Sequence, residues 1–384
     1  MIRTALSALF LAALATAAAD EPALKQAALH GLLVSEGTTG KLAGTSPRMN
    51  ATVVKTDGGF ELGFNQDVGP QMGRATEEVR KFLAVRHPDK LPAGCRIELA
   101  FSEPYSPKDG PSAAVACSLL AESILTGRGL DDLFAVTGDM TAEGKVRPIG
   151  GVPAKLRGAT KSRCPIVAVP AANEQAVADT AIIDGLKPLY QIQICTIATF
   201  DDALKLASKT REPAVQQALD DFAAVQQALA RNEAFVFNPK LQEKLRAVLQ
   251  TLPNHASAKF LLLHGLRQAP DRLSLAGSVL AIGQADQALA GMLHNQSWLE
   301  SGGNDDVLFK FIGEMERLRT KLDKRTVGYG DAYRELALYI KSIRTRRLLT
   351  EEMRGELRAA VQRVESKRDA LMAEPEIREE LMLE

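Results

Sequence analysis

Aromatic residues are scarce in this sequence: they make up 5% of 384 residues, with one tryptophan, alongside only five histidines and four cysteines. Neither sign of charge is in excess, since 47 Lys and Arg balance 47 Asp and Glu. Each shortage removes a class of function. A chain with no basic excess has no field to gather phosphates, so nucleic acid is not an expected partner. Cys95, Cys117, Cys164 and Cys195 are widely spaced and form no CxxC pair, which leaves zinc sites and thioredoxin-type redox chemistry without ligands. No metal and no cofactor are expected. Disulfide connectivity is not readable from this spacing. Cys95 and Cys164 each precede a strand-like run and can lie at one end of a sheet, or all four can be buried thiols.

Long apolar runs are also missing, apart from the leader "MIRTALSALFLAALATAAAD". Arg3 gives it a positive start, an apolar run begins near Ala5, and Ala17-Ala18-Ala19 offers small residues for cleavage. That pattern predicts a signal peptide over residues 1–19, cut after Ala19, and a periplasmic or secreted mature protein. The run is shorter than the roughly 20 residues that span a bilayer, and no stable membrane span is expected elsewhere.

From Leu29 to Ala207 strand-like and helix-like segments mix, which predicts an α/β (α+β) domain over residues 20–207. "CRIELAFSE" and "CPIVAVP" read as strands, "GRATEEVRKFLAVR" as a helix ending near His87-Pro88, and Ser112 to Thr126 as a helix. Charge and proline interrupt the pattern at 208–214, read as a linker. An all-α helical region is predicted over 215–384. Within it, the stretch from Asn238 to Pro270 has a helix-turn-helix character of tetratricopeptide type. Charged amphipathic helices follow from Asp305, interrupted by "GYGD" at Gly328 to Asp331.

The candidate site begins at "PKDGPSAAVACSLLAESILTG". Asp109 or Gly110 can cap the helix, Pro111 suits its first turn, and Gly127 can end it. Apolar residues cover most of the helix circumference, so it is expected to be buried. Ser112 is then either part of a helix start or a nucleophile beside free N–H groups that suit an oxyanion. A serine nucleophile needs a base. His30 and His87 are the histidines of the α/β part, and neither has an acid at a recognisable spacing, which argues against a Ser-His-Asp triad. Lys155 is the other candidate base. Gly150-Gly151 make a turn, Pro153 fits a helix start, and Lys155 falls in that helix's first turn, where burial and the helix dipole both favour the neutral amine. Otherwise it is a solvated surface lysine.

"PKDGPSA", "TGDMTAEGKVRPIGG" and Lys155, in that order and spacing, resemble the proteolytic domain of Lon proteases, over roughly Gly31 to Ala207. The resemblance implies a Lon-type fold of the ribosomal-protein-S5-like kind and a Ser-Lys dyad. By this resemblance Ser112 attacks the scissile carbonyl to form an acyl-enzyme, Lys155 takes and returns the proton, and Thr137 orients the lysine. Asp109, Gly110, Pro111 and Ala113 are candidates for the oxyanion hole or a helix cap. Substrates would be peptides or unfolded proteins, and the family assembles as rings of six, which implies a homo-oligomer. Departures are Ala114 for the family's glycine, Asp139 for its glutamate, and "GGVPAK" in place of "GGLKEK". No G-x-x-x-x-G-K-[ST] phosphate loop precedes the motif, so an ATP-independent serine peptidase is expected. Two rivals stand beside it: a catalytically silent Lon-like fold that binds proteins, and a related small-molecule kinase, whose phosphate cradle needs more glycines than Gly110 supplies.

Overall fold

The computed structural model of the protein describes residues 22–36, 42–88, 90–103, 108–294, 305–344 and 349–375. The expected signal peptide, Met1 to Ala19, lies outside the described residues, as does Pro107 of the PKDGPSA motif. Strands β1 (Gln26–Gly31), β2 (Leu33–Glu36), β3 (Leu42–Thr45), β4 (Arg48–Lys55) and β5 (Glu61–Phe64) come first. Helix α1 (Pro70–Arg86) leads to β6 (Cys95–Phe101), and a 3-10 turn over Pro111–Ala113 opens α2 (Ala114–Thr126). Next are β7 (Ala135–Val136), β8 (Asp139–Met140), β9 (Val146–Arg147), α3 (Val152–Lys161) and β10 (Ile166–Pro170). The α/β part closes with α4 (Glu174–Asp184), α5 (Lys187–Gln191), β11 (Gln193–Ile197) and α6 (Phe200–Ala207). Beyond it the described elements are helical: α7 (Pro213–Arg231), α8 (Pro239–Thr251), α9 (Ala256–Gly265), α10 (Leu275–His294), α11 (Asp305–Arg319), α12 (Val327–Ile343) and α13 (Glu351–Ala373).

Seven strands form one mixed sheet in the order β11-β10-β7-β1-β4-β6-β5. The first four run parallel, and β4 is antiparallel to both β1 and β6. Sequence alternation decides which faces are covered. In β6, Cys95, Ile97, Leu99 and Phe101 point inward and their neighbours are half exposed. In β10 every residue is buried: Ala168 faces the core shared with α1 and α2, while Val167 and Val169 face the core shared with α3 to α5. Helix α2 sits inside the first core, with Leu119, Leu120 and Ile124 wholly inaccessible. All four cysteines are buried free thiols.

Apolar packing runs straight across segment 208–214. Val215, Ala218 and Leu219 of α7 join the α2 core, and Phe222, Leu245 and Leu261 join the core behind β10 and β11. The outer edge of β11 is closed by the turn into α9. Asn254 O accepts from Thr196 N at 2.8 Å, its Nδ2 donates to Thr196 O at 2.6 Å, and Ser257 Oγ accepts from Ile194 N at 3.0 Å. An edge that would otherwise present unpaired N–H and C=O groups is thereby satisfied within the chain. A third core, from Leu273 to Leu371, belongs to the last four helices. Contrary to the expectation from sequence, "GYGD" does not interrupt the helices but lies in the first turns of α12. At Gly330 a Cβ would stand 2.9 Å from Leu322 Cδ1, the end of a side chain. Among the described residues no helix is long and apolar enough to cross a membrane.

Candidate active site

The site forms where the 3-10 turn before α2, the segment after β7 and the first turn of α3 meet. Ser112 is half-buried in the 3-10 turn. Its carbonyl accepts Gly138 N at 2.9 Å and Thr137 Oγ1 at 3.2 Å, and Gly138 O accepts Val115 N at 3.2 Å. This reciprocal pairing ties the serine's backbone to the Thr137-Gly138 pair. Glycine is required at 138: its φ is 159°, and a Cβ would stand 2.9 Å from Val115 Cγ2 and 3.0 Å from Val146 Cγ1.

Lys155 is 3% exposed. Its Nζ donates to Thr137 Oγ1 at 3.0 Å. Thr137 thus links the amine to the Ser112 carbonyl, and lysine, threonine and the serine backbone form one hydrogen-bonded chain. No ion pair to Lys155 occurs among the described residues, and burial alone pushes its pKa from the ordinary 10.5 down to about 7. A large fraction of the amine is therefore neutral at neutral pH, as a general base requires.

Two close approaches, neither visible in the motifs, fix the height of α3. A Cβ at Gly44 would lie 1.7 Å from the carbonyl oxygen of Ala154 and 2.9 Å from Lys155 N. A Cβ at Gly158 would lie 2.6 Å from the carbonyl carbon of Gly44. Strand β3 and helix α3 therefore touch backbone to backbone at the lysine. Gly151, with φ 73°, begins α3 against Val34. The loop before it is held by Asn173, another residue the motifs did not single out as functional.

The cap candidates resolve unequally. Asp109 does not cap its own helix. Its carboxylate accepts from Gln71 N at 2.9 Å and Met72 N at 3.0 Å, capping α1, and from Gly110 N at 2.8 Å. Those N–H bonds, Met72 foremost, hold the carboxyl below its usual pKa. Gly69 makes room, since a Cβ there would stand 2.2 Å from Asp109 Cγ. Gly110, at φ 105°, shapes the turn. As oxyanion donors the set narrows: Pro111 has no N–H, Gly110 gives its N–H to Asp109, and Ala113 is turned to Gly110 O by the i to i+3 pattern of the 3-10 turn. The N–H of Ser112 itself is not used by that pattern. Ala114, the departure after PSA, is buried and its methyl is accommodated in the α2 core. Asp139 pairs with Arg147 at 2.8 Å across the β8–β9 hairpin.

His87 has an acid partner that the spacing concealed: Nε2 lies 2.7 Å from Glu122 Oε2, and Arg86 Nε also reaches Glu122 at 3.1 Å. That pair does not serve Ser112. Glu122 stands ten residues further along the turn and helix that carry the serine, on the order of 15 Å at helical rise. His30 Nδ1 is 2.8 Å from Ser46 O.

Residues 84–209 match the Lon protease (S16) C-terminal proteolytic domain family. This stretch is a Lon-type proteolytic domain. Relatives agree: a Lon protease of Azospirillum brasilense is 39% identical over 111 residues, covering 29% of this chain and 13% of the relative. One of Azorhizobium caulinodans is 36% identical over 108 residues, 28% of this chain and 12% of its own. Lon protease 1 of Herpetosiphon aurantiacus is 46% identical over 67 residues, 17% of this chain and 8% of its own. The chain thus spans about an eighth of the length of the first two relatives.

Proposed function

We propose that the chain is an exported serine endopeptidase that hydrolyses peptides or unfolded proteins with Ser112 as nucleophile and Lys155 as base, without ATP. The observation that carries this reading is the buried Lys155 amine, poised near neutrality and hydrogen-bonded to the threonine that also holds the Ser112 backbone. In the reaction, neutral Lys155 Nζ takes the proton of Ser112 Oγ as Oγ bonds to the scissile carbonyl carbon. The developing oxyanion is met by backbone N–H at the turn, for which Ser112 N–H is the candidate. Nζ then passes its proton to the leaving nitrogen, the C–N bond breaks, and an ester to Ser112 is left. Water, deprotonated by the same amine, attacks that ester and Oγ leaves with the proton. Export is supported by the leader through Ala19. A ring of six and an S5-like fold belong to the same reading through the family resemblance.

The test is hydrolysis of casein or a fluorogenic peptide without ATP by wild type, Ser112→Ala and Lys155→Ala. Each substitution is expected to lower kcat by about 10²- to 10⁴-fold or more with thermal unfolding still cooperative. Wild-type kcat/KM should rise through about pH 7. Undiminished turnover in either variant removes that residue from the mechanism, and an inert wild type favours the binding-only fold.

A further inference from the structure

Helix α4 is fastened to three other parts of the chain. At its entry stands Asn173, which is wholly buried. It occupies the N-cap position, yet its side chain makes no cap bond. Instead Oδ1 accepts from Ile149 N at 2.9 Å and Nδ2 donates to Ile149 O at 3.0 Å. Ile149 precedes Gly150 and the left-handed Gly151 that begins α3. This double clasp therefore fixes the loop from which the Lys155 helix starts. Losing it would leave the buried N–H and C=O of Ile149 unpaired.

Midway along α4, the Asp179 carboxylate is 1% exposed and faces the last helices. It accepts from Ser274 N at 2.8 Å and Ser274 Oγ at 2.5 Å, and Ser274 Oγ accepts from Gly277 N at 2.9 Å. The start of α10 is thus docked on α4. A Cβ at Gly277 would stand 2.1 Å from Asp179 Oδ2, so the approach needs glycine. Near the end of α4, Lys321 Nζ, from the turn after α11, donates to Ile182 O at 2.6 Å. Arg157 of α3 also reaches Asp184 at 2.7 Å, but that pair is exposed and contributes little.

One rigid helix therefore touches the loop feeding Lys155 at one end and the C-terminal bundle along its side. We propose that the bundle keeps the lysine in place through α4, and that Asn173, Asp179 and Ser274 are positioning residues for it. This rests on Lys155 being the base. The physical link is solvation. If α4 shifts, Ile149 and the start of α3 shift with it, the 3.0 Å bond from Nζ to Thr137 loosens, and water reaches the amine. A hydrated amine moves back toward the ordinary lysine pKa and is protonated at neutral pH.

Full-length wild type, Asn173→Ala, Ser274→Ala and Ser274→Thr are compared for kcat and KM from about pH 6 to 10, with thermal melting of each. Asn173→Ala and Ser274→Ala are expected to lower kcat at pH 7 by about tenfold with KM within about twofold, and to move the rising limb up by about one pH unit. Activity should then recover at high pH, a recovery that simple destabilisation does not produce. Ser274→Thr keeps the hydroxyl and should restore the wild-type profile. Because Asn173→Ala risks misfolding, the Lys155 Nζ titration is also followed by NMR of isotope-labelled lysine in Ser112→Ala, with and without Ser274→Ala. An upward shift of about one unit is expected. An unmoved limb and an unmoved titration in Ser274→Ala overturn the coupling even if its melting temperature falls. Full activity in Lys155→Ala instead overturns the base assignment, and the coupling with it.

Discussion

Glycine is used in opposite ways in the two halves of this molecule. Among the described residues, every glycine with positive φ lies between Gly94 and Gly185, in the α/β half. Gly44, Gly138 and Gly158, with no space for a methyl group, pack around Ser112 and Lys155. In the last helices Gly283, Gly313 and Gly355 sit inside α10, α11 and α13 with nothing within 4 Å of a Cβ. Gly277 and Gly330 are the bundle's exceptions, and Gly277 is one of the points where it meets α4. The contact of β3 with the lysine helix is therefore set by backbone against backbone, which tolerates almost no displacement. The bundle is held by broad apolar faces with ion pairs on the outside, such as Arg319–Asp331 and Arg334–Glu316. The same substitution should have opposite consequences in the two places.

The largest effect is expected at Gly44. Its methyl would overlap the Ala154 carbonyl, and neither partner is a flexible side-chain end, so backbone must move. Gly44→Ala is expected to destabilise by about 3 kcal/mol or more, at or above the upper end for overpacking. A urea midpoint lowered accordingly, with hydrolysis falling further than folded fraction alone explains, is the expected pattern. Wild-type stability and activity would show that β3 does not fix the lysine helix.

The second effect concerns the lysine itself. Its folded pKa, about 7, lies below the ordinary 10.5, so between those values the unfolded chain binds more protons and stability rises with pH. Below about pH 7 the full burial penalty is present, and by about pH 10.5 it has gone. Lys155→Met removes the ionisable group while keeping the volume. It is expected to be inactive and, at pH 6, about 2–3 kcal/mol more stable than wild type, after allowing for the lost Thr137 bond. That advantage should shrink as pH rises toward 10. A flat difference across pH would mean that Lys155 stays charged when folded.

How much of this was legible in the sequence follows from how local each signal is. Ser112, Thr137, Gly150-Gly151 and Lys155 stand in compact motifs whose turn and helix-start chemistry can be read in place, and β6 shows its inward face as strict alternation. Gly44 is invisible because its partner, Ala154, lies far along the chain. Asp109 looks like the cap of the helix that follows it, yet caps α1, whose N–H groups are 37 and 38 residues upstream. Glu122 hides from His87 at a separation of 35 for the same reason. Asn173 is a residue of good capping type three positions after the buried strand β10, but its side chain is engaged with Ile149, which no local pattern shows. The charged stretch 208–214 marks a change from mixed to helical structure, but the apolar positions of α7 beyond it, Val215 and Leu219, complete the core begun before it.

The smallest effect completes the contrast. Gly313 lies on an exposed face within α11, where an added methyl meets no neighbour. In a helix interior glycine gives up more backbone freedom on folding than alanine does, so Gly313→Ala should stabilise the bundle by about 0.5–1 kcal/mol. Gly283→Ala in α10 should behave alike, because its surroundings are equally open. An added methyl at either residue meets nothing within 4 Å, so kcat and its pH limb should stay at the wild-type values, unlike those of Ser274→Ala. A gain in melting temperature with unchanged catalysis would separate the bundle's own stability from its hold on the lysine. A matching loss at Gly313 would mean that the open face is covered by something else, and the contrast between the halves would then have to be redrawn around that contact.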